Sequence, residues 1–137
     1  MQTAAISKAL NSYGGEAVHS ETLGASPHRL IQMLMSGALD KIAYAKGAIG
    51  RKDLSGKSKH ISWAVSIING LRSSLDMEKG GEIADNLNGL YGYMNRCLME
   101  ANIQNDVAKL DEVSSLMREI KEGWDAIPEQ YQNRTAA

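Results

Sequence analysis

The spacing of apolar residues predicts an all-α protein: an antiparallel up-down-up-down four-helix bundle with a short N-terminal capping helix. Three observations carry that prediction. Four segments repeat apolar residues in steps of three and four, the period of one helical face. No segment sustains two-residue alternation, so a sheet is not expected. The connections are short, roughly 3–8 residues, which forces consecutive helices to be antiparallel neighbours.

Near the N-terminus, Ile6, Ala9, Leu10 and Tyr13 fall at i, i+3, i+4 and i+7, and Gly14-Gly15 ends the pattern. Residues 16–25 are small and polar and read as a linker. One or two helical turns are not stable alone in water, so this segment is expected to dock on something larger. The first long helix opens at Ser26, a good N-cap, with Pro27 in the first helical position. Leu30, Ile31, Leu34, Ala38, Ile42, Ala45 and Ile49 follow, and Gly50 stops it before a loop over 51–56. The second helix is expected from about Ser58 to Leu75, with Ile61, Ala64, Ile68, Leu71 and Leu75 on its seam. A charged turn with a Gly80-Gly81 break leads to the third, from about Glu82 to Asn102. Its stripe is Ile83, Leu87, Leu90, Met94, Cys97 and Ala101. Asn105 can cap a fourth helix carrying Leu110, Val113, Met117, Ile120, Trp124 and Ile127, which Pro128 ends. Residues 1–25 are thus a cap and linker, 26–127 the bundle, and 128–137 a polar tail.

The chain has 137 residues, enough for one domain with a substantial core. Its 43% apolar and 23% charged content is that of a globular protein. No apolar run approaches the roughly 18 residues that cross a bilayer, and the N-terminus has no apolar signal-like stretch. A cytoplasmic protein without membrane insertion is expected. The net charge of −1 hides an asymmetry. Residues 51–75 carry five Lys/Arg against one Asp, and residues 76–106 carry two Lys/Arg against six Asp/Glu. Opposite signs on consecutive antiparallel helices attract. Arg51, Lys52, Lys57, Lys59 and Arg72 lack an aromatic ladder, so nucleic acid is not an expected partner.

The residues offer no catalytic constellation, cofactor motif or metal cluster. One cysteine, Cys97, excludes an internal disulfide and a multi-cysteine metal site. The single Glu-x-x-His, Glu16 to His19, lies in the linker, where a di-iron bundle could not use it. No Gly-rich phosphate loop occurs. An enzyme is not expected. His28 and His60 allow an alternative, a phosphotransfer-type signalling bundle, although His60 is followed by Ile-Ser-Trp rather than by Lys-Gly.

More apolar residues are present than four seams require. Leu30, Met33 and Met35 lie off the first seam, Trp63 and Ile67 off the second, and Ala84, Tyr91 and Leu98 off the third. A wide stripe is normal for a globular helix, so core burial explains any one of them. Together they suggest a groove left open for an amphipathic helix or an extended peptide. The seven methionines would make such a surface adaptable. The candidate partner-binding residues are Leu10, Tyr13, Leu30, Met33, Met35, Trp63, Ile67, Tyr91 and Leu98, with the Leu10/Tyr13 segment as a temporary occupant. Self-association through the same surface is a further option.

Three blocks of residues resemble one family. They are Ala25-Ser-Pro-His-Arg-Leu-Ile-Gln-Met-Leu34 with Gly37-Ala-Leu39; Glu78-Lys-Gly-Gly-Glu-Ile-Ala84 with Leu90-Tyr-Gly-Tyr-Met94; and Ala101-Asn102 with Asn105-Asp106 and Trp124. The pattern resembles the FliS family, flagellin-specific export chaperones of bacterial flagella. It departs at Met35-Ser36, where the family commonly has Phe-Asp. The resemblance implies a four-helix bundle with an N-terminal cap, the family's N-terminal apolar and Tyr positions falling on Leu10 and Tyr13. It implies binding of the C-terminal region of flagellin, wrapped round the bundle, and a component of the flagellar export gate as a second partner.

Overall fold

The computed structural model of the protein describes residues 24–135, with side chains to residue 132. Five helices follow in order: α1 Pro27–Gly50, α2 Leu54–Ser73, α3 Met77–Gln104, α4 Val107–Asp125 and α5 Glu129–Thr135. The four long ones form the bundle. α1 packs beside α2 and α4, and α3 completes the square by packing beside the same two. α5 returns onto α1.

The helix ends explain the boundaries. Ser26 accepts a hydrogen bond from the Arg29 N–H at 3.1 Å, so α1 starts where the sequence places it. α2 starts at Leu54, four residues before the expected Ser58. Its N-cap is Asp53, whose carboxylate accepts from Gly56 N–H at 2.9 Å. Asp76 plays the same part for α3, accepting from Lys79 N–H at 2.9 Å. The expected charged turn is therefore the first turn of α3. The break within it is real: Gly81 sits at φ 51°, ψ −129°, a conformation open in practice to glycine alone. Asn105 does not cap α4. It ends α3 in the left-handed region at φ 55°, and Asp106 caps α4 by accepting from Lys109 N–H at 3.3 Å. After Pro128 the polar residues form α5. Such side-chain caps are each worth about 0.5–2 kcal/mol.

The core runs the length of the square. Leu34 and Ile42 of α1, Ile61, Ile68 and Leu71 of α2, Met94 and Leu98 of α3, and Leu110 and Met117 of α4 are at most 1% exposed. Burying each side chain of this size contributes roughly 1.5–3 kcal/mol. α3 differs from expectation in its phase. Its inward residues are Ala84, Tyr91, Met94, Cys97, Leu98 and Ala101, all buried, while Leu87 is half-buried. Ile83 and Leu90 point outward at 73% and 36% exposure.

Across α2 and α3 the fastening is polar. Ser58 bonds Asn102 at 3.1 Å, Asn95 bonds Asn69 at 2.8 Å, and Arg72 Nε–H donates to Asn88 Oδ1 at 2.6 Å. Buried Lys57 gives its ammonium to the Asn102 carbonyl at 2.8 Å and to Asn105 Oδ1 at 2.6 Å. That places a cation at the negative end of the α3 dipole, where it is favoured. The charge asymmetry between the helices is thus met through amides and carbonyls in these bonds.

Candidate partner-binding surface

Most of the residues singled out from the sequence as partner-facing lie inside the bundle. Met33 is 5% exposed, Met35 1%, Ile67 0%, Tyr91 2% and Leu98 0%, and all five belong to the core cluster. Burial pushes the Tyr91 phenol up to about 12. These five correct the expected surface: each helix buries a face wider than a two-position seam, so residues beside the seam are enclosed too. Leu30 and Trp63 are half-buried and pack against that cluster from its edge. Leu10 and Tyr13 fall outside the described residues.

Trp63 lies in an aromatic group on the α1–α2 flank. Tyr44 and His60 stack with ring centroids 3.6 Å apart, and His60 meets Trp63 at 5.7 Å. The Lys41 ammonium stands 3.9 Å from the Trp63 ring centre. His60 Nδ1 is 2.8 Å from the Gly56 carbonyl. His28 is 2% exposed and stacks flat on Trp124 at 4.7 Å, and the Trp124 indole N–H donates to the His28 carbonyl at 3.0 Å. Both His28 ring nitrogens lack a hydrogen-bond partner. Its pKa is lowered, first by burial, with the charge of Asp125 acting in the opposite direction. Both imidazoles are packed against aromatic rings, and the phosphotransfer alternative draws no support from that setting.

The open apolar surface is on α3. Of the nine large apolar or aromatic residues exposed among the described residues, six belong to this helix: Met77, Ile83, Leu90, Tyr93, Met99 and Ile103. They take two flanks. At 3.6 residues per turn, Ile83, Leu87 and Leu90 share one line, and Met99 and Ile103 share another on roughly the opposite side. The first line runs on into Met94, Cys97 and Ala101, which are buried, so it is open only toward the N-terminal end of α3. The Tyr93 hydroxyl donates to Glu112, and Lys109 pairs with Glu100 at 2.6 Å, which fixes the antiparallel register of the two helices. That register sets Leu90 and Leu87 at the level of Leu116 and Ile120 and Ile83 at that of Trp124, all three half-buried on α4. The second flank faces α2. Met99 is 52% exposed there and Ile103 80%.

Ile83 and Leu90 are thus open where the N-terminal part of α3 runs beyond its packing, and Met99 and Ile103 are open near its C-terminal end. Sequence reading missed this for a definable reason. Ala84, Leu87, Tyr91, Met94, Leu98 and Ala101 run in steps of three, four, three, four and three; Ile83, Leu87, Leu90, Met94, Cys97 and Ala101 run in steps of four, three, four, three and four. Two overlapping seams share Leu87, Met94 and Ala101. The excess was the signal: toward the C-terminal end both stripes are inside, Cys97 with Leu98, and toward the N-terminal end Ala84 and Tyr91 turn inward while Ile83 and Leu90 stay open.

Among the described residues no group of three or more His, Cys, Asp or Glu is placed to hold a metal ion. None of the described helices is long and apolar enough to cross a membrane. The fold is an all-α bundle whose open apolar side chains gather on α3.

Comparison with known proteins agrees with that class. The family described as Flagellar protein FliS matches residues 9–131. The chain is 48% identical over 120 residues to the flagellar secretion chaperone FliSB of Pseudomonas aeruginosa, an alignment covering 88% of this chain and 95% of that one. It is 43% identical over 128 residues to the flagellar secretion chaperone FliS of Vibrio cholerae, covering 93% and 94%. Identity to its counterpart in Salmonella typhimurium is 43% over 119 residues, covering 86% and 88%. The chain belongs to the FliS family of flagellar secretion chaperones.

Proposed function

We propose that this protein binds the disordered C-terminal segment of flagellin in the cytoplasm, keeps it from polymerising early, and delivers it to the flagellar export apparatus. Family membership supports the export role. One observation supports the manner of binding: α3 leaves apolar side chains open near both of its ends and on opposite sides, at 73% for Ile83 and 80% for Ile103. A single rigid helix laid in one groove would cover one flank. A chain that crosses from the α3–α4 side to the α2–α3 side covers both, and a disordered segment that orders on binding can do so. In this reading residues 6–13 act as a cap that competes with the cargo, through Leu10 and Tyr13.

The test is co-purification with intact flagellin and with flagellin lacking its C-terminal segment. Capture of the first and loss of the second is the expected result. Equal capture of both would refute this mode of binding.

A further inference from the structure

We infer that the shallow groove between α2 and α3 at Gly92 receives an acidic side chain of the bound polypeptide, an inference that rests on the reading of α3 just given. The groove encloses about 460 Å³ and is lined by Arg72, Gly92, Asn95, Arg96, Met99 and Glu100. Its charge is unbalanced. Glu100 is already held by Lys109 at 2.6 Å. Arg72 uses Nε–H on Asn88, and the Arg96 guanidinium lies 5.9 Å from the centre of the Tyr93 ring. Among the described residues neither arginine forms an ion pair with a carboxylate. Two guanidinium groups left in this state beside a concave surface favour an anion, and their planar donors match a carboxylate.

The Arg72 guanidinium lies along the α3 backbone at Gly92: a Cβ there would be in ordinary contact, at 3.4 Å, with both of its terminal nitrogens.

The groove combines two cations with an apolar rim at Met99. A free inorganic anion answers the first and not the second. An Asp or Glu within a polypeptide answers both, with its carboxylate on the arginines and its neighbours in the chain on the rim. Met99, half exposed at the rim, offers apolar contact to the neighbouring side chains of the same segment.

Calorimetric titration of the full-length chain with the C-terminal segment of flagellin, from the organism that encodes this chain, tests the assignment. The unmodified protein is compared with Arg96→Gln and with Arg72→Gln/Arg96→Gln, at about 50 and about 300 mM salt. The double variant is expected to lose about tenfold or more in affinity at low salt and most of the salt dependence. Arg96→Gln, which breaks no hydrogen bond inside the bundle, is expected to lose about threefold with an unchanged melting temperature. In the segment, each Asp is changed to Asn and each Glu to Gln. One such change should reproduce the loss on the unmodified chain and add nothing on the double variant.

Affinities within about twofold for all three proteins would overturn the assignment while leaving flagellin binding standing. So would segment variants whose losses all add in full to that of the double variant. So would inorganic phosphate that raises the melting temperature at fixed ionic strength yet leaves segment affinity untouched, since the groove would then be a plain anion site. Failure of the unmodified chain to bind the segment would remove the flagellin reading and this inference together.

Discussion

Leu98→Ala and Ile83→Ala distinguish the two seams that overlap on α3, and they should differ sharply. Leu98 is fully buried in the central cluster. Removing most of its side chain there loses transfer energy and leaves a cavity, about 2–5 kcal/mol in all. For a domain of this size each kcal/mol lowers the melting temperature by roughly 3–5 °C, so a cost near 3 kcal/mol gives a fall of about 10–15 °C. Ile83, at 73% exposure, leaves little behind when truncated, and its cost should stay within about 0.5 kcal/mol, or roughly 2 °C. Thermal melts followed by the helical circular dichroism signal measure both, with urea midpoints at constant slope as the check that stability alone has changed. Should Ile83→Ala cost as much as Leu98→Ala, Ile83 would be packed in the core, and the surface described here would not exist.

Gly81→Ala should destabilise by about 1–3 kcal/mol, because φ 51°, ψ −129° strains any side chain; a melt unchanged from the parent protein would show that the kink is not needed. His28 sets a pH dependence. Its folded pKa is lowered, so the unfolded chain takes up the proton first, near 6.5. Its contribution to stability is therefore full above that pH and is lost as the pH falls below it. Asp125, whose own pKa is lowered first by its hydrogen bond from Lys121, stays charged through that range and softens the effect. The melting temperature should fall between pH 7.5 and 5, and His28→Gln should flatten the profile; an equal slope in both proteins would contradict this. Leu10→Ala with Tyr13→Ala should change flagellin binding and leave the bundle melt nearly intact; a large thermal loss would place both residues in the core instead.

Much of the bundle was legible because its determinants are local. Ser26-Pro27 states its own cap, and the 3–4 spacing of α1, α2 and α4 marks their buried faces. The N-terminal boundaries of α2 and α3 were placed late because Asp53 and Asp76 read as loop or turn charge. In the fold their carboxylates accept backbone N–H groups three residues on. Asn105 tells the same story in reverse: an Asn before a helix is as good a left-handed terminator as it is a cap. The open apolar face was the least legible part. Which of two overlapping stripes turns inward depends on what α2 and α4 present to α3. The Asn and Ser bonds at Asn69–Asn95 and Ser58–Asn102 fix that rotation from outside the helix. Counting apolar residues reveals a surplus; it does not reveal which side carries it.

The proposal that α3 grips flagellin from both flanks is tested most directly by a variant that alters those flanks and nothing else. Ile83→Ser, Leu90→Ser and Ile103→Ser combined should leave the melting temperature within a few degrees of the parent, because all three side chains already meet water. If each loses about 1–1.5 kcal/mol of burial against the cargo, affinity for the C-terminal segment of flagellin should fall at least a hundredfold by calorimetry. Unaltered affinity in a variant that melts normally would contradict the account, because the cargo would then be held somewhere other than α3.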